Sequence, residues 1–238
     1  YPTASQPSVT VTLTDSGEYE VGSSFTPKYS VTFKAGSYTY GPATGVTATA
    51  YNVSDSSGAT ADTKTGSFSQ FTVLDSTNYK VSATADHSGG AMPVTNIGNE
   101  YPSVRISSGT TKEASSGAVT GYRKWFVYVG SSLNTIDSTF VRNAASQGNA
   151  KNAATIESLN IPGGTKRVMI ALPAGTGYNK TLKSVIDIDG MGLEIIGNFT
   201  PKQVEVMGVD GAHPMVYNIW YTDNENGLAA SHYKCVLE

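Results

Sequence analysis

SVTVTLT, residues 8–14, alternates polar and apolar side chains without a break. PKYSVTFK, residues 27–34, repeats the pattern with Tyr29, Val31 and Phe33 on one face. Successive side chains of a strand point to opposite faces, so a period of two marks a strand with one face buried. The same texture returns in VTATAYNV (46–53), GSFSQFTVL (66–74) and NYKVSATA (78–85). Turn-forming clusters separate these runs: DSG at 15–17, SDSSG at 54–58 and HSGG at 87–90. Period-two runs punctuated by Gly, Asn, Asp and Ser predict an antiparallel sandwich.

Further along, SSGTTKEASSGAVTG is small, polar and Gly-rich, which suits an exposed loop. It places a boundary between 101 and 121 and predicts three parts: a β-sandwich of Ig-like size over 1–105, a linker or exposed loop over 106–120, and a second domain over 121–238. The Cys…Trp…Cys spacing of antibody domains is absent. GYRKWFVYVG (121–130) is the most aromatic strand of the chain. TIDSTFVRNAAS (135–146) is the one convincing helix, running to about 147. Ile136, Phe140 and Val141 lie on one stripe, Asn134 or Thr135 caps it and Gly148 ends it. Strands then resume at 154–161, 165–173, 181–188, 193–199, 202–209, 215–222 and 232–237. The fold class is therefore all-β: two antiparallel sandwiches, with one short helix in the second.

Composition points the same way. Of the 238 residues, 39% are apolar and only 15% charged, and the shortfall is filled by Ser, Thr, Asn and 25 Gly. Such a chain suits strands and turns and lacks the Leu, Glu, Lys and Arg of long helices. The net charge of −3 argues against nucleic-acid binding, which needs a basic footprint. The lone Cys235 cannot form an intrachain disulfide and reads as a small packed hydrophobe. No run of 18 apolar residues exists, so membrane insertion is not expected. The opening, YPTASQPSV, has neither Met nor a signal-peptide core, which fits a processed or partial chain.

The sequence nominates no catalytic, cofactor-binding or metal-binding residue, and no cofactor is expected. There is no G-x-S-x-G elbow and no H-E-x-x-H. His87 falls in a Gly-rich turn, His213 precedes Pro214, and His232 opens the last strand. Asp187-Ile188-Asp189-Gly190 and Asp223-Asn224-Glu225-Asn226 resemble fragments of calcium loops, but neither supplies the five or more oxygens such a loop needs. Sequons occur at Asn52, Asn179 and Asn198. Among 14 Tyr, Tyr38 and Tyr40 lie in GSYTYGPATG, a Gly/Pro-rich loop, and are the candidate surface-contact residues.

Three stretches carry a resemblance. They are GSYTYGPATGVTATAYNVSDSSGATADTKTGSF with NYKVSATADHSGGAMPVTN, AVTGYRKWFVYVG…IDSTFVRNAAS, and KRVMIALPAG…VIDIDGMGLEIIGNFTPKQVEVMGVDGAHPMVYNIWYTDN. Together they resemble structural proteins of tailed bacteriophages and prophages of gut bacteria, which pair an Ig-like domain with a C-terminal β-domain. The likeness runs from about residue 36 to 225; the ending NENGLAASHYKCVLE departs from the Thr-rich last strand of such proteins. It implies a non-enzymatic virion component of tail, baseplate, fibre or head appendage, assembled in the host cytoplasm. The implied partners are other virion proteins and a host-surface glycan or protein, and the implied oligomer is a trimer. A bacterial surface adhesin or carbohydrate-binding module is the alternative, and a glycan depolymerase is a third class. Oligomerisation has a second motive in VTATAYNV and MVYNIWYT, which carry no charge: each must be central in its sheet or be covered.

Overall fold

The computed structural model describes residues 1–41 and 43–238. The chain is all-β, with 48% of residues in strands and 6% in helices, and every described strand pairing is antiparallel. It divides into two compact units. Unit 1 is Tyr1–Glu18, Ser24–Thr72 and Ser76–Thr120; unit 2 is Tyr19–Ser23, Val73–Asp75 and Gly121–Glu238.

In unit 1 the strands of the two main sheets are β1 (Ser8–Leu13), β2 (Lys28–Lys34), β3 (Ala48–Asp55), β4 (Thr60–Ala61), β5 (Thr65–Ser67), β6 (Val81–His87), β7 (Gly109–Thr110) and β8 (Ala114–Ser115). One sheet runs β1-β2-β5; the other runs β7-β6-β3-β4, with β8 also on β6. The alternation of the sequence is the alternation of burial: Val9, Val11 and Leu13 face Tyr29 and Val31 inside, while the threonines between them face water.

Residues 106–120 are no linker. Ile106 and Val119 are fully buried, and this stretch supplies β7 and β8 as the edge of a sheet. The stretch is still mostly exposed, and two hydroxyls explain how so polar a run is anchored to the sheet. Thr111 Oγ1 accepts from Ala85 N and Ser116 Oγ from Val81 N, each at 3.0 Å, and so takes the place of a backbone carbonyl. The expected strand 66–74 is also broken. Only 65–67 and 71–72 are extended, and they pair in different sheets.

Unit 2 contains β9 (Lys124–Gly130), α1 (Ser138–Asn143), β10 (Ala145–Asn149), β11 (Ile156–Ile161), β12 (Arg167–Pro173), β13 (Leu182–Asp187), β14 (Leu193–Glu194), β15 (Thr200–Val206), β16 (Met215–Asp223) and β17 (Ser231–Leu237). A five-stranded sheet, β10-β9-β12-β16-β15, packs on a four-stranded one, β11-β17-β13-β14. Val168, Ile170 and Leu172 meet Val185, Tyr233 and Cys235 between the sheets. Met169, Ala171, Tyr217 and Ile219 point the other way, against Ile136 and Val141 around the helix. All seven residues of β12 are buried, which is why RVMIALP reads as a continuous apolar run. The apolar groups on both faces of MVYNIWYT have the same cause, because β16 is central between β12 and β15. That strand needs no second copy to cover it.

The helix is half the length expected. Asp137, rather than Asn134 or Thr135, caps it by accepting from Phe140 N at 2.8 Å, and it stops at Asn143. Residues 145–149 are drawn into the sheet as β10 instead, with Gly148 at φ +88° at the register shift inside that strand rather than at a helix end. Phe140 lies against Tyr128, with ring centroids 4.9 Å apart, and the Arg167 guanidinium sits 5.1 Å from its ring centre.

Two ionic clusters tie the sequence-distant segments into unit 2. Glu20 is nearly buried and meets Lys124 of β9 at 2.7 Å and Arg142 of α1 at 2.9 Å. Arg123, 3% exposed, grips Asp75 through Nη2 at 2.7 Å and Nε at 3.1 Å. The Tyr178 hydroxyl donates to Asp75 at 3.1 Å and accepts from Arg123 N at 2.7 Å. Among the described residues no helix is long and apolar enough to cross a membrane.

Candidate functional site

Tyr38 and Tyr40 have different fates. Tyr38 is 7% exposed and packs with Val46 and Ile106, so it is not a surface-contact residue. Its hydroxyl donates to Ala91 O and accepts from Ile106 N, each at 3.0 Å. Those two partners are the two ends of the loop 91–106, where Gly90 N also bonds Ile106 O at 2.8 Å. Tyr38 is thus an internal pillar that fixes the base of the loop. A buried phenol needs such partners, and the loop's backbone supplies them.

Tyr40 stands outside, beside the loop that Tyr38 holds. The neighbouring Gly41 lies close enough that a Cβ there would sit 3.8 Å from Val94. Val94 pairs with Glu100 to make a small hairpin, and its turn is closed by Thr95 N to Asn99 O at 2.7 Å and Gly98 N to Thr95 O at 3.0 Å. Gly98, at φ +86°, provides the left-handed step the turn needs. This raises Ile97 to the tip, 77% exposed. Tyr101 follows, tied by its N–H to Pro93 O at 2.8 Å, and its ring lies 5.3 Å from that of Tyr1. Unit 1 therefore exposes Ile97 at the tip of an anchored loop, with Tyr40 exposed on the neighbouring segment and the half-buried Tyr101 ring beside the exposed Tyr1. Rigid tyrosines offer contact area at small entropy cost. Of these four residues, sequence reasoning found Tyr40 alone. The Asn-Ile-Gly turn around Ile97 was the missed signal.

The remaining nominees are structural. His87 is the buried last residue of β6 rather than a loop residue, with Nδ1 3.0 Å from Ser88 O. His213 faces Asp210 at 3.3 Å. His232 faces Asp189 at 2.9 Å, while the preceding Ser231 points to the opposite side of the strand and donates to Asp187. No histidine therefore meets that hydroxyl. Asp223 is held by Arg167 through two bonds of 2.6 and 2.7 Å, and Asn224 closes a local turn by accepting from Asn226 N. Among the described residues no three His, Cys, Asp or Glu side chains converge as a metal site. Burial pushes the Cys235 thiol up to about 12. Asn52, Asn179 and Asn198 are all exposed.

A concave surface of unit 1 lies over β3 and β6. It is a groove of about 710 Å³ lined by Asn52, Ser54, Asp62, Ser82, Thr84 and Glu113 among others, none of them aromatic. It offers hydroxyl, amide and carboxylate groups and no stacking platform. No family model matches the chain, and no curated protein matches it.

Proposed function

We propose that the chain is a non-enzymatic structural component of a tailed-phage virion, in a tail, baseplate, fibre or head appendage, acting in assembly or host-surface attachment. The exposed tyrosine and isoleucine surface on the loop 91–106 is the observation that supports a contact role. Ile97 stands at its tip, Tyr40 is exposed on the neighbouring segment, Tyr101 is half-buried in the loop, and Tyr38 fixes the loop's two ends. Aromatic anchors on pre-organised loops dominate protein contacts because little entropy is lost on binding. The sequence resemblance supplies the setting: other virion proteins, or a protein or glycan of the host surface, as partners.

Gold-labelled antibody against the chain tests the setting. Particles released from cells carrying the gene should take the label at a discrete appendage. Label confined to cell envelopes, with bare particles, overturns the reading in favour of a surface adhesin. The polar groove over β3 and β6 favours that second reading in its carbohydrate-binding form, since hydroxyl, amide and carboxylate groups complement sugar hydroxyls. Glycan-array binding that Asn52→Ala abolishes would select it.

A further inference from the structure

The hairpin between β13 and β14 in unit 2 is built to hold apolar side chains in water. Ile186 pairs with Glu194 and Asp187 with Leu193, leaving Ile188–Asp189–Gly190–Met191–Gly192 as the turn. The turn is held from several directions. Asp187 accepts from Gly190 N at 3.0 Å and from the Ser231 hydroxyl. Ile188 N donates to His232 O at 2.8 Å, and Asp189 meets the His232 ring at 2.9 Å. A side chain at position 190 would come within 2.6 Å of the Asp187 carboxylate, so glycine there lets the carboxylate keep its cap.

On this frame Met191 is 91% exposed, Leu193 57% and Ile188 42%. Single exposed apolar residues are ordinary, but three in six positions are not. The backbone adds an independent signal. Met191 has φ +62° and Gly192 φ +69°. Two successive residues of positive φ favour Asn-Gly or Gly-Gly, and a long unbranched side chain at the first is strained. The other described non-glycine residues of positive φ are Asp15 and His213, of types that tolerate it. Strain retained at an exposed tip points to selection for what the side chain touches.

The charges around the tip have one sign. Asp187, Asp189 and Glu194 border it; the Ser184 hydroxyl and backbone N–H groups hold the Glu194 carboxyl below the ordinary range. The His232 ring beside the tip is already engaged with Asp189. We infer that this hairpin is a plug that seats Met191, with Leu193 and Ile188 beside it, in an apolar pocket of another protein whose rim carries Lys or Arg. An anionic lipid surface is disfavoured by the acidic border. Methionine suits the task because its flexible thioether adapts to the pocket it enters. The inference stands whether or not the chain belongs to a virion.

The test uses the full chain in the cells that make it, with Met191→p-benzoylphenylalanine as a photo-crosslinker. The expected result is one discrete protein adduct whose crosslinked peptide combines apolar residues with Lys or Arg. Asp189→Lys with Glu194→Lys should cut its yield by about tenfold or more. Met191→Asn should raise the thermal midpoint, by relieving the turn, while removing the association of the purified chain with the crosslinked protein. Adducts to lipid alone, adducts to a second copy of this chain, or no protein adduct overturn the inference. So does a charge-reversed variant that crosslinks as well as the parent, or a Met191→Asn variant that melts lower.

Discussion

Replacing Asp75 by alanine should weaken unit 2, although residue 75 lies some 46 positions ahead of that unit's main segment at Gly121. Arg123 is 3% exposed and its carboxylate partner is Asp75, which binds it through both Nε and Nη2. After the substitution the guanidinium keeps only two backbone carbonyls, Val206 O at 3.3 Å and His213 O at 2.7 Å. The Tyr178 hydroxyl also loses its acceptor. Removing one partner of a buried pair costs about 3–5 kcal/mol, because the other charge stays buried without compensation. The Asp75 side chain is 28% exposed, so water can partly replace it and the low end, about 3 kcal/mol, applies. The assay is unambiguous because both tryptophans, Trp125 and Trp220, belong to unit 2. With a urea dependence of about 2 kcal/mol per molar, the tryptophan-detected midpoint should fall by about 1.5 M. Adding Arg123→Met, which removes the orphaned charge, should restore about half of the loss. A midpoint within about 0.2 M of the parent would refute the reasoning, since even a modest buried pair exceeds that.

Tyr38→Phe removes the pillar and leaves the buried Ile106 N–H without an acceptor, at a cost of about 1–3 kcal/mol; hydrogen exchange should quicken selectively across residues 91–106. Phe140→Ala should cost about 1–2 kcal/mol through its lost contacts with Tyr128 and Arg167, read again by tryptophan-detected unfolding. Cys235 titrates at about 12 in the folded chain against an ordinary 9.0, so its contribution is complete below pH 9 and is lost as pH rises from there towards 12. Burial raises Tyr178, Tyr217 and Tyr233 in the same direction, and an alkaline series of thermal scans should show a continuous decline above pH 9. Incubation with EDTA should leave the thermal midpoint where it was; a large drop would return Asp187, Asp189, Asp223 and Glu225 to consideration as ligands.

What was legible in the sequence was whatever has a period. SVTVTLT and PKYSVTFK pair residue for residue as β1 and β2, from Ser8 against Lys34 to Leu13 against Tyr29. RVMIALP and MVYNIWYT announce their central positions by being apolar on both faces. The stretch 106–120 reads as a linker because β7 and β8 are two residues long and two of its buried side chains, Thr111 and Ser116, are hydroxyls, which composition cannot tell from solvated ones. The helix was overdrawn because Ala144 and Ala145 favour helix locally, while pairing of 145–149 with β9 decides the outcome. The segments 19–23 and 73–75 belong to unit 2 and are held there by backbone bonds such as Val21 N to Tyr122 O and by Glu20 and Asp75, whose partners Lys124 and Arg123 lie 104 and 48 residues away. No local pattern reports such pairs. In the candidate site the same rule holds. Tyr40 was readable as an aromatic in a turn-rich loop, whereas Tyr38, two positions before it, is turned inward by partners 53 and 68 residues distant.

The placement of exposed apolar groups favours contact through tips rather than through sheet edges. An open edge recruits another strand unless charge, proline or a bulge blunts it. The edge strand β15 carries Pro201, Lys202 and Glu205, and β11 carries Glu157. The uncharged run 48–54 of β3 is flanked by β6 along its length, by β4 at Val53 and Ser54, and by a register shift where Ala48 and Ala50 meet His87 and Asp86. Against this, Ile97, Ile188 and Met191 all lie in turns, each stiffened by its own hydrogen bonds. A tip of two or three side chains covers far less than the roughly 1,600 Å² of a standard protein interface. Contact of this kind is weak for one chain and becomes strong when many copies are held in register, because the second engagement is then intramolecular. On the reading proposed here the particle supplies that register. An isolated chain should bind its partner weakly and an arrayed one tightly, with the difference carried by geometry and not by any further residue.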